Sequence, residues 1–217
     1  MAYTIDIEKI KEQPTGNQVG FITKSGVYDI TIKQIYFDQT VNGAEQAVIV
    51  YSLPHALDKT SRLFMTIKST KGIDTFAKPI LDSLLYLIGI KDVTVKEQEI
   101  VTGKTRFTAE CIQNVDGKQV SVWVMQKYRK WNNEIKEQLD VKEFFDIKDK
   151  ATARERITGK DIGKRFENSK PSHGITGYDK CTEAEAKKYI EARQASRDSA
   201  SSQQTSAKVA EDDELPF

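Results

Sequence analysis

The chain has 217 residues, 38% hydrophobic and 30% charged, with 33 basic against 32 acidic side chains. That length suits one ordinary domain with a core plus extra segments, and the polar balance implies that part of the chain stays unpacked. It excludes a membrane span, because the longest apolar run, Ile80 to Ile90, is broken by Asp82, Ser83 and Gly89 and falls well short of the roughly 20 residues required.

The even charge hides a partition. Residues 211–217 hold four acids, so the rest of the chain carries 33 basic residues against 28 acidic, or +5. A mildly basic body with an acidic end points to a polyanion partner for the body and a basic partner for the end. Cys111 and Cys181 are the only cysteines, and no charged-then-apolar leader precedes the body, so a reducing cytoplasm is expected rather than secretion.

Residues 1–25 contain Pro14, Gly16 and Gly20 and read as a loosely attached leader. From Gly26, Tyr28, Ile30 and Ile32 alternate with Asp29, Thr31 and Lys33, as a half-buried strand requires, and the alternation slips near Gln34, where a bulge fits. Asn42-Gly43 then predicts a hairpin turn into a second strand, AVIVYSL. A third, SRLFMTIKS, sets Leu63, Met65 and Ile67 on one face and Arg62, Phe64, Thr66 and Lys68 on the other.

Apolar residues at three- and four-residue spacing predict a helix from Ile73 to Ile88, with Asp74 in its first turn, Gly89 as its stop, and Phe76 on the apolar stripe. Pro79 costs it a hydrogen bond unless it bends or starts late. Two further strands, TRFTAECIQNV and QVSVWVMQKYRKW, flank Asp116-Gly117, which reads as a second hairpin turn.

Residues 26–131 are therefore expected to be mainly β, five strands with one helix between the third and fourth. That is the order of an OB-fold, a small, partly open barrel whose strand face and loops bind oligonucleotides or oligosaccharides. Residues 132–195 read as a charged, partly helical accessory segment with a surface helix from Thr182 to Ala195, and residues 196–217 as a flexible tether carrying the acidic tip.

On the strand faces, cations interleave with aromatics. Arg62, Phe64 and Lys68 share one face of the third strand, and Trp123, Lys127, Arg129 and Trp131 share one face of the last by period-two spacing. An unpaired nucleic acid strand is met by such a surface, since cations track phosphates while rings stack on bare bases. Trp123 is open to two readings: a stacking ring, or a core residue with Val120, Val122 and Val124 turned outward under the accessory segment.

VTGKTRF ends like a phosphate loop, but Gln98 stands where its first glycine belongs and a strand follows instead of a helix. A turn offering Lys104 and Arg106 to a DNA backbone is the better account. His55 and His173 lack partners at metal-ligand spacing, and neither cysteine has one, so no metal, cofactor or catalytic centre is indicated. Scattered carboxylates such as Asp58, Asp74, Asp82 and Asp92 are of a type that binds magnesium in a nuclease, but acids in loops and on helix faces are the default on any soluble surface, so a nuclease is not the expected reading.

At the end of the chain, Asp212-Asp213-Glu214-Leu215-Pro216-Phe217 combines charge with an apolar tip, which suits a docking peptide: Pro216 lowers the ordering cost, Phe217 offers a ring, and the acids steer it to a basic surface. It resembles the acidic tip of bacterial single-stranded DNA-binding proteins, with Glu214 and Leu215 in place of an aspartate and an isoleucine. The body looks more like the divergent members encoded by bacteriophages. The resemblance implies a non-enzymatic protein that coats single-stranded DNA in the host cytoplasm during replication, recombination or repair. Residues 212–217 would then recruit replication and recombination enzymes. It leaves open whether the protein forms a homo-oligomer. The rival reading is an adaptor, such as a helicase loader or recombination mediator, that binds little DNA itself.

Overall fold

A computed structural model describes residues 21–102 and 105–208. The protein is mainly β. Strands β1 (Gly26–Gln39), β2 (Glu45–Leu53) and β3 (Ala56–Thr66) form the expected antiparallel meander. Gly43 takes φ 82° in the first turn, donating its N–H to the Thr40 carbonyl at 2.7 Å. The slip near Gln34 is a register shift between Ile32 and Gln34, so that Ile30, Ile32 and Ile35 all reach the core.

Helix α1 (Ala77–Leu87) buries Ala77, Leu81, Leu84 and Leu85. It begins four residues later than the apolar spacing predicts. Pro79 thereby falls in the first turn, where its missing N–H had no intrahelical partner to lose. Asp74 lies outside the helix, bridging Lys68, and Ile73 and Phe76 are exposed instead of buried. Gly89 ends the helix at φ 80°, as expected.

Strand β4 (Val95–Thr102) was not anticipated, and it pairs with β5 (Thr105–Ile112). The expected hairpin across Asp116-Gly117 is therefore corrected: β5 does not pair with β6 (Gln119–Trp131). Both lie along the same edge of β1, opposite β2, with β5 bridged at Tyr36 and β6 paired over Gly26–Thr31. The turn docks between them, where Gly117 donates to the Ile32 carbonyl at 2.9 Å.

A second correction concerns residues 134–145, expected to be partly helical and outside the core. They form β7 (Glu134–Phe145), paired along β6, with Val141 and Phe144 in the main core. Asn132 and Asn133, at φ 48° and 63°, make the two-residue turn that joins the strands. The sheet is open: among the described residues no ladder joins β3 to β7, and in place of the expected five-stranded, partly open barrel the strands form one open sheet of eight.

After β7 come two short helices, α2 (Ala153–Thr158) and α3 (Lys164–Ser169), then a 3-10 turn and β8 (Gly177–Asp179). The last pairs parallel to β6 at Lys127–Arg129, on the edge that β1 has left. Helix α4 (Glu183–Lys208) opens with a capping box in which Thr182 accepts from the Glu185 N–H and Glu185 accepts from the Thr182 N–H. Its backbone stays helical to Lys208, into the stretch read as a flexible tether. Most of the leader and the whole acidic tip lie outside the described residues.

The Asn132-Asn133 turn sets the register of β6 and β7. Replacing Asn133 with valine should cost about 1–2 kcal/mol, the penalty for a β-carbon-branched residue in the left-handed region, while Asn133→Gly stays within a few tenths. Urea unfolding of both variants measures this.

Candidate nucleic-acid interface

Where β3 and β7 face each other without a ladder, a groove of about 1070 Å³ runs between them. Consecutive residues line both walls, Arg62 to Thr66 on β3 and Lys136 to Val141 on β7, because the groove reaches the strand edges and so meets both faces of each strand. Ile22 and Thr23 line it ahead of β1, Thr75 to Ala77 at the start of α1, Lys127 and Arg129 from β6, and Tyr189 and Arg193 from α4.

The lining carries five cations, Arg62, Lys127, Arg129, Lys136 and Arg193, against two carboxylates, Glu137 and Asp140. The surplus of positive charge attracts anions. Arg129 and Lys136 stand directly opposite each other on the β6–β7 ladder, where like charges repel unless an anion shares them. Among the described residues no carboxylate lies within ion-pair distance of Arg62 or Lys136. Lys127, by contrast, has Asp140 at 3.8 Å and Asp179 at 3.7 Å, Arg129 has Asp179 at 3.2 Å, and Arg193 pairs with Glu137.

Two exposed phenylalanine rings stand in the groove, beside the half-buried Tyr189. Phe64 is 49% and Phe76 77% exposed. The Arg62 guanidinium lies 5.7 Å from the Phe64 ring centre, a cation–π contact that presents charge and ring as one unit. Phe76 is held beside β3 by its neighbour. The Thr75 N–H donates to the Ile67 carbonyl at 2.9 Å, and the Thr75 hydroxyl donates to the Thr66 carbonyl while accepting from the Ala77 N–H. Past the groove lining, Arg129 sits 5.4 Å from the half-exposed Trp131 ring.

Of the residues expected on this surface, Arg62, Phe64, Lys127 and Arg129 meet in one groove, with Trp131 beside Arg129. The others do not. Lys68 lies beyond the end of β3, where a 3.0 Å hydrogen bond and ion pair with Glu45 holds its ammonium above the usual range. Arg106 sits on β5, 3.5 Å from Glu99, away from the groove lining. Lys104 and the tip residues Asp212 to Phe217 lie outside the described residues.

Trp123 is a correction. It is 8% exposed, packed 5.1 Å from the His173 ring and sealed under the accessory segment, while Val120, Val122 and Val124 fill the main core on the other face. Both faces of this half of β6 are covered, so neither side is available to bases. Phe76, Lys136 and Arg193 were missed. Phe76 matched the helical period and was read as core, and the two cations sat in segments whose neighbours only the folded chain reveals.

No protein-family model matches the chain, and no curated protein matches it. The groove therefore has to be read from its own chemistry.

His173 closes the seal over Trp123. Its Nε2 lies 2.7 Å from the Ser169 hydroxyl, and the Phe166 ring is 5.1 Å away. Burial, with the nearby Lys170 ammonium adding to it, holds the His173 imidazole below the usual histidine range. The folded state therefore takes up a proton on His173 at lower pH than the unfolded chain, which does so near pH 6.5. The resulting stability is complete above that pH and declines as pH falls through it. Urea midpoints between pH 8 and 5.5 should drop for the wild type, and His173→Gln should lose that part of the drop.

Proposed function

We propose that the protein binds single-stranded DNA, without strong sequence preference, in the groove between β3 and the β6–β7 hairpin. The observation that carries this reading is the meeting of Arg62 and Phe64 from β3 with Lys127, Arg129 and Lys136 from the hairpin around two exposed phenylalanine rings. Phosphates would neutralise the Arg129–Lys136 juxtaposition, and bases would stack on Phe64 and Phe76, with Trp131 extending the path. A meander, a helix and a returning hairpin around an open edge also support an OB-like body. The acidic tip, residues 212–217, would recruit replication or recombination enzymes, as its resemblance to the tip of bacterial single-stranded DNA-binding proteins suggests.

The second reading is an adaptor with little DNA affinity. It is favoured by the ion pairs that already engage Lys68, Lys127 and Arg129. Titrating a short fluorescent single strand at several salt concentrations, beside the same sequence as a duplex, separates the two. The DNA-binding reading expects single-strand affinity that falls as salt rises and exceeds duplex affinity. Phe64→Ala should weaken it by about 5- to 150-fold, the ratio equivalent to 1–3 kcal/mol of lost stacking. Affinity too weak to measure at low salt would leave the adaptor.

A further inference from the structure

Lys127 and Arg129 converge on a single oxygen. Asp179 Oδ2 lies 3.7 Å from Lys127 Nζ and 3.2 Å from Arg129 Nε. The carboxylate is carried there by β8, whose parallel register sets Gly177 opposite Lys127 and Asp179 opposite Arg129. Arg129 Nε is shielded from solvent yet makes no hydrogen bond of good geometry, the nearby carboxylate included. A buried donor left in this way costs stability until a better-placed acceptor arrives.

We infer that Lys127 and Arg129 form a subsite for one backbone phosphate, and that Asp179 occupies it as a built-in competitor when DNA is absent. The inference rests on the single-stranded DNA reading above and adds the regulation of that site. Both anions offer oxygen acceptors, but a phosphate oxygen arriving from the groove is not bound to the geometry of β8 and can align with Arg129 Nε. Asp140, 3.8 Å from Lys127 and 3.6 Å from Lys142, faces the same cation and stays as its second counter-charge. A β-carbon at Gly177 would stand 3.1 Å from Met125 Sδ and 3.4 Å from Lys127 Cγ, so a larger residue there would require the Met125 side chain to shift by a few tenths of an ångström.

The test is a salt titration of single-stranded oligonucleotide with wild type, Asp179→Asn, Lys127→Gln and the double variant. Asparagine keeps the size of the side chain and the backbone pairing of β8. Asp179→Asn should tighten binding about two- to tenfold at low salt, the scale of a partly exposed ion pair removed. In the Lys127→Gln background that gain should shrink, giving a non-additive cycle. Glu167→Gln, which removes an equal charge from the exposed Lys170 pair, should change nothing. The inference is overturned if wild type binds but Asp179→Asn binds equally or more weakly, if the cycle is additive, or if Glu167→Gln tightens binding as much. If neither wild type nor Asp179→Asn binds at any salt, the single-stranded DNA reading itself fails, and the competitor with it.

Discussion

Strand β1 pairs with β2 along one edge and, in succession, with β6 and β5 along the other, and the rest of the molecule is arranged around that sharing. The bulge between Ile32 and Gln34 resets the inward parity, so that Ile30, Ile32 and Ile35 can all be buried in one core. Each such side chain contributes roughly 1.5–3 kcal/mol on burial, which makes the register expensive to shift. With β5 and β6 laid end to end on one edge, the outer strands β3 and β7 come to face each other over α1 with no ladder between them. The groove is a consequence of that pairing scheme.

What the pairing scheme supplies is a firm mounting for charge. Arg62 and Phe64 stand on the outward face of a strand whose inward residues, Leu63 and Met65, are sealed in the core, and Phe76 is fixed by the Thr75 hydrogen bonds to β3. Side chains held on regular elements lose less freedom on meeting a ligand than side chains on loops, so more of their attraction remains as affinity. The accessory segment acts in two directions on the same strand. It covers Trp123 at one end of β6 and, through β8, brings an acid to Lys127 and Arg129 nearer the other.

The meander, its Asn42-Gly43 turn and the bulge were legible because each depends on neighbours in the chain: alternation, a left-handed glycine, a slip in period. The faces of β3 were legible for the same reason. β7 was not read, although Ile135, Leu139 and Val141 keep a period of two and Asn132-Asn133 can serve as a two-residue turn. The interspersed Lys and Glu residues suggested helix, and the strand is specified by its ladder to β6. Trp123 shares its parity with Lys127 and Arg129, and parity cannot tell how far along a strand the covering layer extends. Phe76 fits a helical stripe, yet Pro79 delays the helix and leaves the ring outside. Asp179 lies 50 residues from Arg129, so their pairing exists only in the fold.

The proposal that single-stranded DNA lies in the groove is addressed most directly by backbone hydrogen exchange with and without a saturating oligonucleotide. Exchange should slow at Arg62–Thr66 on β3 and at Lys136–Val141 on β7, the two walls of the groove, and stay unchanged along β4. Protection confined to the β4–β5 hairpin, or none on either wall, would contradict the account.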